Sequence, residues 1–482
     1  MNVIFSRRQI LQILVNSSIA LGLDFSNRDQ MQSAIAAPIQ TTISLDDILD
    51  NDAEVRKIAA DDFGHLISKS PKAVVKPNCV EDVVKTIQFA RQNKIKIAAR
   101  GQGHSTYGQS QVENGLVVDM SYLNKIHSID SNQVVVDGGV VWMQLAQEAL
   151  EKNLTLPVLT DYLGLSVGGT LSVGGIGGAA HHYGLQVDNV LELLVVTGAG
   201  KLETCSRSQN TDLFEAVLAG LGQCGIMVRA TIKPIVAPKN ARVYSLVYES
   251  LKDFIQDQRL LARDKRFNYF KGAIISKPQG GWNYILEAAS FWSPPTEPNN
   301  DALLTSLKHI KSMTKIEDKS YFDFINVPVV AMLNSIGAWS TPHPWFDVFL
   351  PSSAVEDYVE EILSSLTPKD TGNGFIFLYP VNTQSTNMPL SRLPDEPIVF
   401  LFDILRNQTS DSATSKQMLD SNRKLFEQAR DLGGYRYPIG SIPFSQNDWM
   451  QHFGSKWDKL VSLKQKYDPD NILNPGQGIF RI

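Results

Sequence analysis

Apolar residues recur at three- and four-residue steps from Val80 to Gln92, at Val83, Val84, Ile87 and Ala90, and predict a helix there. The run Ile95-Lys96-Ile97-Ala98-Ala99 reads as a strand that ends in a glycine-containing loop. Gly115 to Met120, Gln133 to Asp137 and Leu191 to Thr197 are β-branched runs bounded by Gly, Asn or Asp, and predict further strands; Met143 to Lys152 is helix-like. This alternation lasts until Ala237-Pro238-Lys239-Asn240, whose turn chemistry marks a boundary. Beyond it, strand candidates at Val243 to Tyr248, Trp282 to Ala288 and Gly374 to Tyr379 alternate with helices such as Ala354 to Ser365, while Phe291-Trp292-Ser293-Pro294-Pro295-Thr296 reads as loop.

The chain has 482 residues, long for one domain and comfortable for two. An apolar fraction of 43% with 20% charged residues allows a large core. The net charge of −5 comes with no basic stripe, so nucleic-acid polymers and acidic membranes are not expected partners. Cys79, Cys205 and Cys224 form no C-x-x-C pair and have no metal spacing, so a disulfide framework is excluded and buried, small-apolar roles are expected. The adjacent His181 and His182 lack carboxylate or cysteine support at usable spacing, and no metal is expected.

Two glycine-bearing segments carry the chemistry. In Arg100-Gly101-Gln102-Gly103-His104-Ser105, two glycines let backbone approach a large planar ligand, and His104 presents a ring nitrogen. The second segment, from Thr160 to Gly178, repeats glycine and serine too often for a helix or a central strand, and reads as a loop whose backbone N–H groups can cradle an anion. Its window Gly175-Ile176-Gly177-Gly178-Ala179-Ala180 does not sit on a strand-to-helix turn, so the Rossmann dinucleotide fold is rejected.

With these stretches, and with Asn210-Thr211-Asp212-Leu213-Phe214, Ala219-Gly220-Leu221-Gly222-Gln223-Cys224-Gly225-Ile226, His343-Pro344-Trp345, Tyr467-Asp468-Pro469 and Leu473-Asn474-Pro475-Gly476-Gln477-Gly478, the chain resembles flavoenzymes of the vanillyl-alcohol oxidase family. Asp161-Tyr162 followed by His343-Pro344-Trp345 is most similar to the cytokinin dehydrogenase branch. The resemblance covers nearly everything after Pro71 and implies an α+β, two-domain fold with a PCMH-type FAD-binding domain and an α+β substrate (cap) domain. The expected division is a FAD-binding domain over residues 67–240 and 445–482 and a cap over 241–444.

The implied activity is FAD-dependent oxidation of the N6 side chain of an isopentenyladenine-type cytokinin to an imine, which hydrolyses to adenine and an unsaturated aldehyde. A related FAD-linked oxidase acting on a sugar, alditol or aromatic alcohol is the alternative. The resemblance assigns Asp161 as the catalytic base, where partial burial would favour a raised pKa, and His104 as the point of a single covalent link to FAD. No cysteine stands near the start of the second loop to add another link. Arg100, Gly101, Gly103, Ser105, Gln109, Asp161, Ser166, Gly168, Gly169 and Ser172, with Ile226 and Gln477, are the expected cofactor-facing residues, and Trp345 walls either the substrate channel or the core. Asn268-Tyr269-Phe270-Lys271-Gly272 departs from relatives that often carry glutamate before the glycine, so Lys271 is expected to change the polarity of the pocket mouth. A small adenine-type substrate, an electron acceptor (quinone or oxygen) and a monomeric protein complete the expectation.

Near the N-terminus, Ser6-Arg7-Arg8-Gln9-Ile10-Leu11 precedes a moderately apolar stretch to Leu23, and Ala34-Ile35-Ala36-Ala37 offers small residues for cleavage. Residues 1–37 therefore read as a twin-arginine-like signal, which would export the protein to the periplasm or outside the cell; without a working signal it would be cytoplasmic. No other stretch is apolar enough to span a membrane. Cleavage after Ala37 is the expected outcome of N-terminal sequencing of the mature protein, and a mature chain that begins at Met1 would contradict it.

Overall fold

The helix read from apolar spacing forms over Val80–Gln92, with Val83, Ile87 and Ala90 at 0% exposure. It is the crossover of a right-sized strand–helix–strand unit, since Ala73–Val75 precedes it and Ile97–Arg100 follows, and both pair in parallel with Leu116–Asp119. Leu49–Asp50 closes the far edge of this four-stranded sheet. The helix stripe packs with Val75, Ile97 and Val118 in one cluster; burying each such side chain fully contributes about 1.5–3 kcal/mol. The computed structural model describes residues 44–277 and 279–480, so the expected signal segment lies outside the described residues.

Residues 45–482 form one compact unit of α+β architecture. A second sheet is antiparallel throughout, in the order Ile126–Ile129, Val134–Asp137, Gly225–Ile232, Val190–Thr197, Leu202–Ser206. The third has eight strands, all antiparallel: Lys315–Ser320, Asn240–Tyr248, Trp282–Trp292, Tyr269–Ser276, Phe375–Asn382, Ile398–Leu405, Phe346–Pro351 and Tyr435–Arg436. Helices Leu251–Asp264, Val355–Ser365 and Ser415–Asp431 contribute Phe254, Val359 and Phe426 to a cluster with this sheet. Among the described residues no helix is long and apolar enough to cross a membrane.

Several sequence boundaries shift. Phe291 and Trp292 belong to a strand rather than a loop, because Ala241 and Asn240 pair with them. Cys79 is exposed, not buried: it stands just before the first turn of its helix, outside the stripe that begins at Val80, while Cys205 and Cys224 are buried as expected.

The C-terminal segment returns to the first sheet. Ile97 donates its N–H to the Ile472 carbonyl at 2.8 Å and accepts from the Asn474 N–H at 2.7 Å. A buried ion pair holds that return in place: Lys464 Nζ lies 2.7 Å from Asp468 Oδ2, with side chains 5% and 0% exposed. The same carboxylate accepts the N–H groups of Ile472 and Leu473, and Lys464 also donates to the Gln223 carbonyl. Removing the lysine strands a carboxylate that water cannot reach. Lys464→Met is expected to lower the unfolding free energy by about 3–5 kcal/mol in urea titrations followed by tryptophan fluorescence, and a loss below about 1 kcal/mol would contradict this account.

Candidate active site

One deep cleft, of about 2210 Å³ counted with its open mouth, collects residues from both glycine-bearing segments, the Gly225–Ile232 strand, the eight-stranded sheet and the C-terminal return. Every cofactor-facing residue expected from sequence lines it, from Arg100 through His104 and Asp161 to Ile226 and Gln477.

The loop after Ile97–Arg100 is shaped from below by Asp62. This carboxylate accepts hydrogen bonds from the Gly64 N–H at 3.1 Å, the Ser105 hydroxyl at 3.0 Å and the Gly108 N–H at 2.7 Å. Burial outweighs these bonds and pushes its pKa up to about 6. Gly103 takes φ +66°, and a Cβ there would lie 2.2 Å from the Arg100 guanidinium, so glycine is required on both counts. Arg100 itself donates to the Asp61 carbonyl.

His104 sits in an aromatic nest: its ring centroid is 4.0 Å from Phe63, 5.1 Å from Tyr162, 5.9 Å from Trp345 and 6.3 Å from Trp339. Phe63 is held between His104 and His343, which stacks on it at 4.0 Å and donates from Nδ1 to the Phe63 carbonyl at 2.8 Å. Desolvation, helped by His343, lowers the His104 pKa to about 3, so the ring is neutral at physiological pH. Trp345 thus walls the cleft. Phe63 and Trp339 were not singled out from sequence, because isolated aromatics in irregular segments carry no periodic signal.

The second segment corrects the sequence reading. Rather than loop throughout, it contains a helix over Val167–Val173, preceded by Ser166. Tertiary packing overrides glycine's poor propensity: Val167, Thr170 and Leu171 are buried, and the Gly168 N–H bonds to the Gly138 carbonyl at 2.7 Å. A Cβ on Gly168 would stand 3.0 Å from that oxygen. Ser172 donates back to the Gly168 carbonyl, and Ser166 Oγ faces Gly101 and Gly169, where added Cβ atoms would lie 2.0 and 2.8 Å away.

Asp161 stands near the start of this segment, ahead of the helix, with its side chain 31% exposed. Tyr269 donates to Oδ1 at 2.9 Å, and Lys271 Nζ approaches Oδ2 at 3.3 Å. Both come from the strand Tyr269–Ser276, two residues apart and so on one face. Burial and Asp161 push the Tyr269 hydroxyl well above its ordinary pKa, so it remains a donor. Burial alone would lower Lys271, but Asp161 and Glu287 overcome it and hold the ammonium above its usual value. Lys271 also lies 5.2 Å from the Phe377 ring centroid. The lysine therefore acts on Asp161 itself, a nearer role than the change in mouth polarity read from sequence.

A flavin dinucleotide fits the polar groups that remain. Among the described residues, the N–H groups of Gln102, Gly103, His104 and Ser105 have no internal acceptor, which leaves a run of donors suited to an anion. Gln109 Nε2 and Gln477 Oε1 are buried at the cleft without partners. Neither ring nitrogen of His104 is engaged by a described residue. His181 and His182 both bond to the Phe267 carbonyl, at 2.9 and 2.8 Å, and serve packing.

Comparison with known proteins agrees with this geometry. Residues 71–206 match the FAD binding domain family, and residues 274–480 match the family described as cytokinin dehydrogenase 1, FAD and cytokinin binding. The chain is 40% identical over 420 residues to an uncharacterised oxidoreductase in the fasciation locus of Rhodococcoides fascians, covering 87% of this chain and 95% of that protein. It is 34% identical over 474 residues to cytokinin dehydrogenase 2 of Arabidopsis thaliana, covering 91% and 94%. Cytokinin dehydrogenase 4 of Oryza sativa subsp. japonica is 36% identical over 470 residues, 88% of each chain. With the glycine-bearing segments, His104 and the anchored Asp161 gathered at one cleft, the chain belongs to the cytokinin dehydrogenase family of FAD-dependent oxidoreductases.

Proposed function

We propose that this enzyme oxidises the N6 side chain of isopentenyladenine-type cytokinins, with Asp161 as the base and His104 as the single covalent anchor of FAD. The observation that carries the reading is Asp161, fixed by two donors in the cleft that His104 faces. FAD, when bound, supplies the two-electron sink for hydride leaving the carbon beside the amine nitrogen. As that carbon is oxidised, the nitrogen must give up its proton, and Asp161 is the carboxylate positioned to take it. Tyr269 and Lys271 hold the carboxylate in place, so its orientation is set before substrate arrives. The resulting imine is split by water to adenine and an aldehyde.

The neutral, unengaged imidazole of His104 supports the covalent link, since attachment needs a free ring lone pair. Its aromatic neighbours exclude water from one side of the site. A quinone or oxygen is proposed as the acceptor, and the N-terminal arginine pair supports export of the loaded protein.

Anaerobic mixing of the yellow protein with isopentenyladenine tests the reading. Rapid bleaching of the visible flavin band with release of adenine is expected, whereas a band that responds only to sugars or alcohols would sink it. Asp161→Asn should remain yellow and be reduced about 10²–10⁴-fold more slowly, and full-speed reduction would remove Asp161 from its role. His104→Ala should release its flavin on acid precipitation; flavin retained in the pellet would place the link elsewhere.

A further inference from the structure

Beneath the first glycine-bearing segment, a buried carboxylate has no place in the chemistry above. Asp62 is 3% exposed and lies behind the residues that line the cleft. Its segment grips the residues on both sides of His104: the Phe63 N–H bonds to the Gly103 carbonyl at 2.9 Å, and the Gly64 N–H to the Ser105 carbonyl at 3.1 Å. The Asp62 side chain adds two more holds, on the Ser105 hydroxyl at 3.0 Å and the Gly108 N–H at 2.7 Å, and both end on one oxygen, Oδ2. Ser105 gives its single hydroxyl proton to Asp62, so Ser110 is the donor in the 2.9 Å bond between the two serines. A Cβ on Gly64 would fall 2.0 Å from the Thr106 carbonyl oxygen, so the two segments are in backbone contact.

This grip decides where the imidazole points. With neither ring nitrogen engaged by a described residue, the ring is fixed by its backbone, clamped at Gly103 and Ser105, and by the face of Phe63 at 4.0 Å and 30°. Phe63 follows Asp62 directly, so one short segment sets both constraints. The gripped stretch needs such help: residues 101–113 are neither helix nor strand, and Gly103 and Gly108 take φ +66° and +72°. A ring that swings presents its lone pair to a fixed target only part of the time, and misplacement by 1 Å can cost about 10²-fold in rate.

We propose that Asp62 is a positioning residue for covalent flavin attachment: by holding Ser105 and Gly108 on one oxygen, it keeps a His104 ring nitrogen aimed at the methyl carbon of the flavin ring. The inference rests on the His104 link proposed above and deepens it. In that step a bond forms between the nitrogen and the methyl carbon. One methyl C–H and the imidazole N–H give up their protons, and the two electrons released pass through the flavin to molecular oxygen, which becomes hydrogen peroxide. Asp62 touches none of these atoms and acts through the loop alone. Burial raises its carboxyl to about 6, against the pull of its hydrogen bonds and of Arg100. As pH falls through that value a proton enters, Ser105 and Gly108 lose their common acceptor, and attachment slows. The fold does not weaken with it, since burial disfavours the charged form and stability from this group is lost as pH rises, not as it falls. The other charged groups around Asp62 are Arg100, Lys69 with Glu113, and the surface pair His65–Asp61 at 2.8 Å; His104 and His343 stay neutral down to about 3 and 4.

The test gives FAD, in air, to the full-length chain made in a riboflavin-starved host. Flavin that stays with the acid-precipitated chain is counted over time against total bound flavin. Wild type should link its flavin about 5- to 10-fold more slowly at pH 5 than at pH 7.5, as the ionised share of Asp62 falls. Asp62→Asn should bind the same total flavin, yet link it about 10- to 100-fold more slowly at pH 7.5 and at a rate that no longer changes with pH. Ser105→Ala removes one of the two donors and should slow linkage by a smaller factor; it carries the variant arm if Asp62→Asn takes up no flavin. His65→Gln should keep the wild-type pH profile, which separates Asp62 from the nearby surface imidazole. Wild-type linkage rates in Asp62→Asn, or in Ser105→Ala where the first takes up no flavin, would overturn the proposal. So would equal wild-type rates at pH 5 and pH 7.5, or a pH profile lost in His65→Gln. A wild type that binds FAD and never links it overturns the His104 reading and this inference with it, whereas a linked wild type with an unaffected Asp62→Asn overturns the inference alone.

Discussion

Everything at this site depends on where the Asp161 carboxylate is held. Its partners come from far along the chain: Tyr269 and Lys271 reach it from the eight-stranded sheet, while its backbone belongs to the segment that leads into the Val167–Val173 helix. One carboxylate thus ties the cofactor-facing glycines to the substrate-facing strands. A shift of either element would move this carboxylate relative to His104 and to the cleft floor together, so loop and sheet must be packed before the site exists. The buried Lys464–Asp468 pair serves the same end from the other side, because it fixes the return that presents Asn474 and Gln477 to the cleft.

How the cleft accommodates an anionic cofactor follows from its charge. The cations among its lining residues are Arg100 and Lys271, and both are engaged, by the Asp61 carbonyl and by Asp161. The neutral backbone donors at Gln102–Ser105 are left free instead, and such donors can hold an anion without adding net positive charge. This arrangement leaves the potential around His104 to desolvation and His343, and both favour the neutral ring.

Much of this was legible in the sequence, for identifiable reasons. The Val80–Gln92 helix and the strands around it announce themselves because one face of each is buried and the period is clean. The glycines of both segments are readable because backbone must approach something there. What the sequence concealed was packing. The Val167–Val173 helix exists against its local propensity because Val167, Thr170 and Leu171 are buried and Gly138 accepts the Gly168 amide, none of which is local. Lys271 looked like a change of polarity at an opening, since its partner lies 110 positions earlier and only the folded chain brings them to 3.3 Å. Asp347 and Asp403 lie on separate strands, and only register sets them opposite each other.

The sheet floor then displays two solutions to the same problem, a carboxylate at the edge of water. Asp161 is held by a cation and a phenol. Asp403 stands opposite Asp347 across the strands, and burial raises the pKa of both carboxyls. Between them lie Phe375, Phe377 and Leu405, which line the cleft and give an apolar side chain somewhere to rest. The asymmetry lies in the partners: the carboxyl carried by the glycine-bearing segment meets an ammonium and a phenol, while the one the sheet carries stands opposite another acid.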